Sequence, residues 1–243
     1  MDKRVAIVTG GVAGIGRAIT LALADEGYLV VACDVNVERG RALEAELPGR
    51  VAFEPCNVAE ESDVLRVVQK ICAAYGRIDA LVNNAGIIRR RTSEEINTAD
   101  WDAVFAVNVR GAFLFCKHVA DVMKRQRRGK IVNVSSVAGK LGDITSAPGY
   151  GPSKAALDAL TKTFAREMAP YGVTVNGVAP HAIATEMSAE WSEEKRKSIV
   201  AAIPLGRLGK PEEVAAVVRF LLSPGADFIT GEIIDVNGGF LMD

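Results

Sequence analysis

Apolar residues in this chain fall into short unbroken runs separated by longer amphipathic stretches. RVAIVT, YLVVACD, VAFEPC, ALVNNAG, KIVNVSS, VTVNGVAP and EIIDVNG are continuous rather than alternating, the pattern of strands covered on both faces. Between them, apolar positions recur at helical spacing over Gly14–Glu26, Val37–Leu47, Glu60–Tyr75, Thr98–Arg125, Tyr150–Tyr171 and Pro211–Leu222. The last of these begins KPEEVAAVVRFLL, with a proline and acids where a helix N-terminus favours them. Such alternation predicts βαβ units, a parallel sheet and helices on both of its faces. No linker, repeat or composition break divides residues 1–243, so a single domain is expected. The least regular stretch, HAIATEMSAEWSEEKRKSIVAAIP at 181–204, lies between a strand and the last helix and is expected to form a lid.

Composition changes this picture little. The chain has 243 residues, 49% of them apolar and 24% charged, enough for an ordinary soluble core. A net charge of −1 offers no electrostatic case for nucleic acid or an anionic membrane. No apolar stretch reaches the roughly 18 residues of a membrane span. The N-terminal MDKRVAIVTGG lacks the apolar region of a signal peptide, and a cytoplasmic location is expected. Cys33, Cys56, Cys72 and Cys116 are widely spaced in apolar surroundings, and the only histidines are His118 and His181. That set forms no metal site of the His/Cys type and reads as buried free thiols. The basic run KRQRRGK reads as cations at a helix end.

The first chemical signal is the loop in AIVTGGVAGIGRAI. Gly10, Gly14 and Gly16 follow a strand and open a helix, the context of a dinucleotide-binding turn. Gly10 permits the sharp turn, while Gly14 and Gly16 remove side chains where a pyrophosphate meets a helix N-terminus. Asp34 stands 20 residues beyond Gly14, at the end of the second strand. A carboxylate there accepts hydrogen bonds from ribose hydroxyls and repels a 2′-phosphate, and neither Ala13 nor Val35 supplies a compensating cation. NAD is therefore the expected cofactor, ahead of NADP.

The second signal is GYGPSKAAL. Tyr150 and Lys154 are four residues apart, which places both on one helix face. A free tyrosine titrates near ~10. An ammonium beside it favours the phenolate and brings proton exchange within reach of neutral pH. Upstream, Ser135 and Ser136 end a strand, where open α/β sheets bind ligands. Asn108 sits inside a helical pattern, where an amide has little local purpose.

Together these residues resemble the short-chain dehydrogenase/reductase family almost end to end. TGGVAGIG is similar to its cofactor loop, NNAG (Asn83 to Gly86) to its fourth-strand motif and YGPSK to its catalytic motif; PLGRLGKPEEVA and FITGEIIDVNGG resemble its C-terminal region. The resemblance implies an α/β, Rossmann-like doubly wound parallel sheet of about seven strands, usually assembled as a homotetramer. It implies hydride transfer between NAD(H) and a secondary alcohol or ketone, with a catalytic set of Asn108, Ser136, Tyr150 and Lys154. In that set Tyr150 is the general acid/base, Ser136 polarises the substrate oxygen, Lys154 also holds the nicotinamide ribose, and Asn108 holds a water in a proton relay. Ser136 to Tyr150 spans 14 residues, which keeps Ser135 open for the serine role. The implied cofactor contacts are Gly10, Gly14, Ile15, Gly16 and Asp34, then Asn84, Ala85 and Gly86, and finally Tyr150, Lys154, Ile183 and Thr185, the last meeting the carboxamide. Two positions depart from the family pattern. Asn57-Val58 stands where the family often has Asp-Val, near the adenine, and Pro180-His181 replaces Pro-Gly at the nicotinamide end.

The substrate is expected to be a small hydroxy or keto compound. Arg89, Arg90 and Arg91 follow NNAG, and a guanidinium at the site mouth, Arg90 above all, suits a carboxylate or phosphate. His181, Met187 and Trp191 are the other candidate substrate contacts. Two branches compete. IPLGRLGKPEEVA and VNGGFLMD look like 3-oxoacyl-carrier-protein reductases, which typically use NADPH; NNAGIIRR looks like NAD-dependent sugar-acid dehydrogenases of the deoxy-ketogluconate type. From another class, a cofactor-binding regulator without turnover predicts loss of Tyr150 or Lys154, yet both are present.

Overall fold

The alternation of apolar runs is realised as β1 (Val5–Thr9), α1 (Gly14–Asp25), β2 (Leu29–Asp34), α2 (Val37–Glu46), β3 (Val51–Pro55), α3 (Glu61–Tyr75) and β4 (Ala80–Asn83). The second half runs α4 (Thr98–Phe105), α5 (Ala112–Gln126), β5 (Gly129–Val134), α6 (Ala138–Leu141), α7 (Tyr150–Met168) and β6 (Val173–Pro180). It ends with α8 (Glu186–Ala189), α9 (Glu193–Ala201), α10 (Pro211–Leu221) and β7 (Ile233–Val236). The structure, a computed structural model, describes residues 3–142, 148–189 and 191–242.

The strands form one seven-stranded sheet in the order β3-β2-β1-β4-β5-β6-β7. Every pairing is parallel, with Val5 opposite Leu29 on one side of β1 and Ala6 opposite Ala80 on the other. This is the doubly wound α/β architecture expected from the sequence. The chain reverses its winding between β1 and β4, which leaves a crevice at their carboxyl ends.

Side-chain alternation in β1 builds two cores at once. Val5 and Ile7 face Val67, Ile71, Phe115, Met123 and Met168, which α3, α5 and α7 contribute. Ala6 and Val8 face the other way, toward Ile19 and Leu23 of α1 and Val214, Val218 and Leu221 of α10. All four β1 residues are at most 1% exposed, which is why the strand reads as unbroken apolar text. A polar seam crosses one core: Asn83 donates to Asn133 Oδ1 at 2.8 Å, and Asn133 donates to Thr161 Oγ1 at 2.8 Å. The seam fixes α7 against β4 and β5. The four cysteines are free, and burial pushes the Cys56 and Cys116 thiols up to about 12.

Three elements differ from the sequence expectation. The helix expected over Thr98–Arg125 contains a π-helical turn, Ala106–Gly111, between α4 and α5. The 181–204 stretch, expected as the least regular, carries α8 and α9. Ser192 caps α9 by accepting from Lys195 N at 3.2 Å, and Glu193 and Glu194 lie in its first turn. The run Thr98–Gln126 is, among the described residues, long and apolar enough to cross a membrane, where no such stretch was expected; half of its most apolar window is buried inside the fold.

Candidate functional site

A cavity of about 520 Å³ opens at the crevice between β1 and β4 and extends under α8 and α9. Its volume suits a small-molecule site. The glycine loop forms one end. Gly10 has φ 62 and Gly14 has φ 48, so both occupy the left-handed region. A Cβ on Gly14 would meet nothing nearer than Thr185, 3.5 Å away, so bare backbone faces the crevice there. Gly16 lines the cavity as well and meets a second constraint. Its Cβ would stand 1.9 Å from the Gly10 carbonyl oxygen, so it is glycine to let α1 pack on the turn. The first turn of α1 has no side-chain cap and no acid, whereas Asn36 caps α2 and Ser192 caps α9. Its N–H groups therefore face the crevice without a carboxylate in front of them, which fits a phosphate.

Asp34 lines the same end, and its Oδ1 accepts from Asn36 N at 3.0 Å. The sequence showed no cation near it, yet the fold brings one close. Arg39, in the first turn of α2, pairs with Glu186 of α8 at 2.7 Å and feels the Asp34 charge. Asn84, Ala85 and Gly86 form the floor after β4; Asn84 Nδ2 donates to the carbonyl oxygens of Thr9 and Gly10, both at 3.0 Å. Ile15, Pro180, Ile183 and Thr185 also line the cavity. Asn57 and Val58 are absent from this wall. Asn57 Oδ1 turns back to accept from Ala59 N, and Val58 is buried against Gly111. The Asx turn at Asn57 and the packing of Val58 on Gly111 hold this segment beside the π-helical turn.

Tyr150 and Lys154 share the cavity-facing side of α7. Lys154 Nζ stands 5.7 Å from the centre of the Tyr150 ring and donates to the Val134 carbonyl at 2.8 Å. Lys154 is only 3% exposed. Burial pushes its ammonium down to about 8, and the Asp158 charge opposes that fall. Both serines line the cavity but face differently. Ser135 is buried and donates toward the Lys154 carbonyl at 3.4 Å; Ser136 is half-buried and accepts from Ala138 N at 3.2 Å. Asn108 lies behind the wall, placed by the π-helical turn. Its Oδ1 accepts from Ile87 N at 2.8 Å, and its Nδ2 donates to the Ile87 carbonyl and Ser153 Oγ, each at 3.0 Å. With both amide donors engaged by the protein, Asn108 braces the loop after β4 against α7.

The substrate lobe is largely aromatic and aliphatic. His181 stacks on Phe240 with ring centres 3.8 Å apart, and burial pushes the imidazole below its ordinary value, keeping it neutral at pH 7. Trp191, Ile199 and Phe240 pack on Ala182, Ile203 and Leu208. The Trp191 Nε1 donor is buried without a hydrogen-bond partner among the described residues. Of the three arginines only Arg90 lines the cavity; Arg89 and Arg91 both pair with Asp100. Met187 belongs to α8, but its side chain lies outside what the structure describes. Sequence reasoning missed Phe240, Ile199 and Glu186, which reach the site only through the fold. The Ser-Glu-Glu start of α9 was the one local signal for that helix.

A family model described as enoyl-(acyl carrier protein) reductase matches residues 11–241. The chain is 43% identical over 245 residues to the 3-oxoacyl-(acyl-carrier-protein) reductase FabG of Thermotoga maritima, covering 100% of this chain and 99% of that protein. It is 42% identical to the FabG of Aquifex aeolicus, with 98% of each chain covered. It is 38% identical to that of Escherichia coli, with 99% and 98% covered.

Proposed function

Because the chain belongs to the short-chain dehydrogenase/reductase family, and so is an oxidoreductase of keto and CH–OH groups that uses a nicotinamide cofactor, we propose that it reduces the 3-keto group of an acyl thioester. The observation that carries this reading is the pairing of Tyr150 with the buried Lys154 at one cavity, in a chain whose full-length relatives are named as 3-oxoacyl reductases. The uncapped start of α1, the bare backbone at Gly14 and the carboxylate of Asp34 suit the pyrophosphate and ribose of a dinucleotide. When bound, the nicotinamide supplies or accepts the hydride. Ser136 donates a hydrogen bond to the ketone oxygen and polarises it. Tyr150 gives that oxygen its proton as negative charge develops there. The Lys154 ammonium stabilises the phenolate that remains. Asn108 holds the Ile87 backbone and α7 in register.

Asp34 leads us to propose NAD as the preferred dinucleotide, since its carboxylate disfavours a 2′-phosphate. Arg39 supports the second reading, NADP, because its guanidinium reaches the same region once released from Glu186. A second substrate reading, a keto or hydroxy sugar acid, is favoured by Arg90 and the Trp191 Nε1 donor in the wall. One kinetic matrix tests all of these: acetoacetyl thioesters and keto sugar acids, each with NADH and with NADPH. Higher kcat/KM for the thioester supports the first reading, and higher values for the sugar acid replace it. Tighter binding of NADPH than NADH in titration overturns the cofactor assignment.

A further inference from the structure

The side chain of Asp158 is an anomaly on α7. It lies one helical turn beyond Lys154, on the flank that α6 covers. A Cβ added to Gly139 of α6 would come within 3.0 Å of Asp158 Oδ2, so the carboxyl is shut beneath that backbone. Its Oδ1 is buried without a hydrogen-bond partner among the described residues. Burying a carboxyl in this way destabilises a fold, and an acid placed four residues after a lysine is the weaker order for a helix ion pair. Helix stability therefore gives no account of it.

We propose that Asp158 is a positioning residue for the reaction: its carboxylate, enclosed behind Lys154, keeps the buried ammonium charged and seated on the Val134 carbonyl. The charged groups facing Asp158 are Lys154 and Lys162 of α7 and Lys140 of α6, which itself pairs with Asp235 of β7. Burial raises the Asp158 carboxyl above the usual carboxylate range, and the Ser135 hydroxyl beside it opposes that rise. The Asp158 charge acts on Lys154 to retain its proton. Without it, burial alone governs an ammonium that already loses its proton near pH 8. The two serines then divide the work, Ser136 toward substrate and Ser135 toward this counter-charge. The inference rests on the role proposed for Lys154, but its first test needs no substrate.

That test is an NMR titration of the Lys154 side chain in lysine-labelled protein, assigned by Lys154→Arg. Asp158→Asn is expected to lower the Lys154 midpoint by roughly one pH unit. Turnover of whichever substrate the kinetic matrix identifies gives the second reading. Asp158→Asn activity relative to the native protein is expected near unity at pH 6 and about one fifth at pH 8, because the charged fraction of Lys154 then falls about fivefold. Asp158→Glu is expected to restore both values. An unmoved midpoint, or an activity ratio flat across pH, overturns the proposal. Asp158→Leu, which removes the buried polar atoms, gives the same comparison if the asparagine variant fails to fold. Failure of the Tyr150 reading, by contrast, leaves the Lys154 midpoint shift intact.

Discussion

A single methyl group added at Gly16 would stand 1.9 Å from the Gly10 carbonyl oxygen. Gly16→Ala is expected to lower stability by about 1–3 kcal/mol, the cost of overpacking, read as a fall in melting temperature before any cofactor is added. Gly14→Ala meets only ordinary contact with Thr185, but a φ of 48 strains any side chain, so weaker dinucleotide binding, measured by titration, is expected together with a loss of stability. Tyr150→Phe is expected to lower kcat by roughly 10²–10⁴-fold while NAD still binds, by fluorescence titration; ordinary turnover would remove the phenol from its proton role. His181 carries a pH prediction. Its folded value is depressed, so the unfolded chain takes up the proton first, and the stability this group contributes is complete above about pH 6.5. That contribution is lost as pH falls through the depressed folded value, and His181→Phe is expected to flatten the acid limb of a melting-temperature profile. Tyr150, Lys154 and Ser136 were legible in the sequence because their spacing is local. Phe240, Arg39 and Asp158 were not, because each is defined by a neighbour that only the fold brings near.

At the scale of elements, the strands were legible because both faces of β1, β4 and β5 are covered, so apolar residues dominate each run and the buried Asn83 and Asn133 are paired inside the fold. The π-helical turn at Ala106–Gly111 was hidden, since one extra residue barely disturbs a 3.6-residue period over so long a helix. It matters because it turns Asn108 inward to Ile87 and Ser153. The helix α9 has no fully buried residue, so its capping serine carries much of its definition. Ser192→Ala is expected to cost about 1 kcal/mol locally, seen as faster amide exchange across Glu193–Ala201 and a raised KM with kcat nearly kept. Equal loss of kcat and kcat/KM would place α9 in the chemistry rather than over the substrate.

Across the whole molecule, one sheet joins residues from Val5 to Val236, and the cores on its two faces share β1, β2, β4, β5 and β6. We propose that residues 1–243 form one cooperative unit, expected to give a single calorimetric transition with matching van't Hoff and calorimetric enthalpies. Saturating dinucleotide at about 100 times its Kd is expected to add roughly 2.7 kcal/mol, a rise of some 5–10 °C in melting temperature. Two-step unfolding would separate the 181–204 region from the sheet as its own unit.

The seam from Asn83 through Asn133 to Thr161 bolts α7 to the middle of the sheet, so Tyr150, Lys154 and Asp158 ride on one rigid bar. Ser188, Trp191 and Ile199, by contrast, stand in the wall of the same cavity that Tyr150 and Lys154 line. A relative's 181–204 segment can therefore be transplanted as a cassette, changing which molecule is accepted while the proton machinery beneath it keeps its alignment.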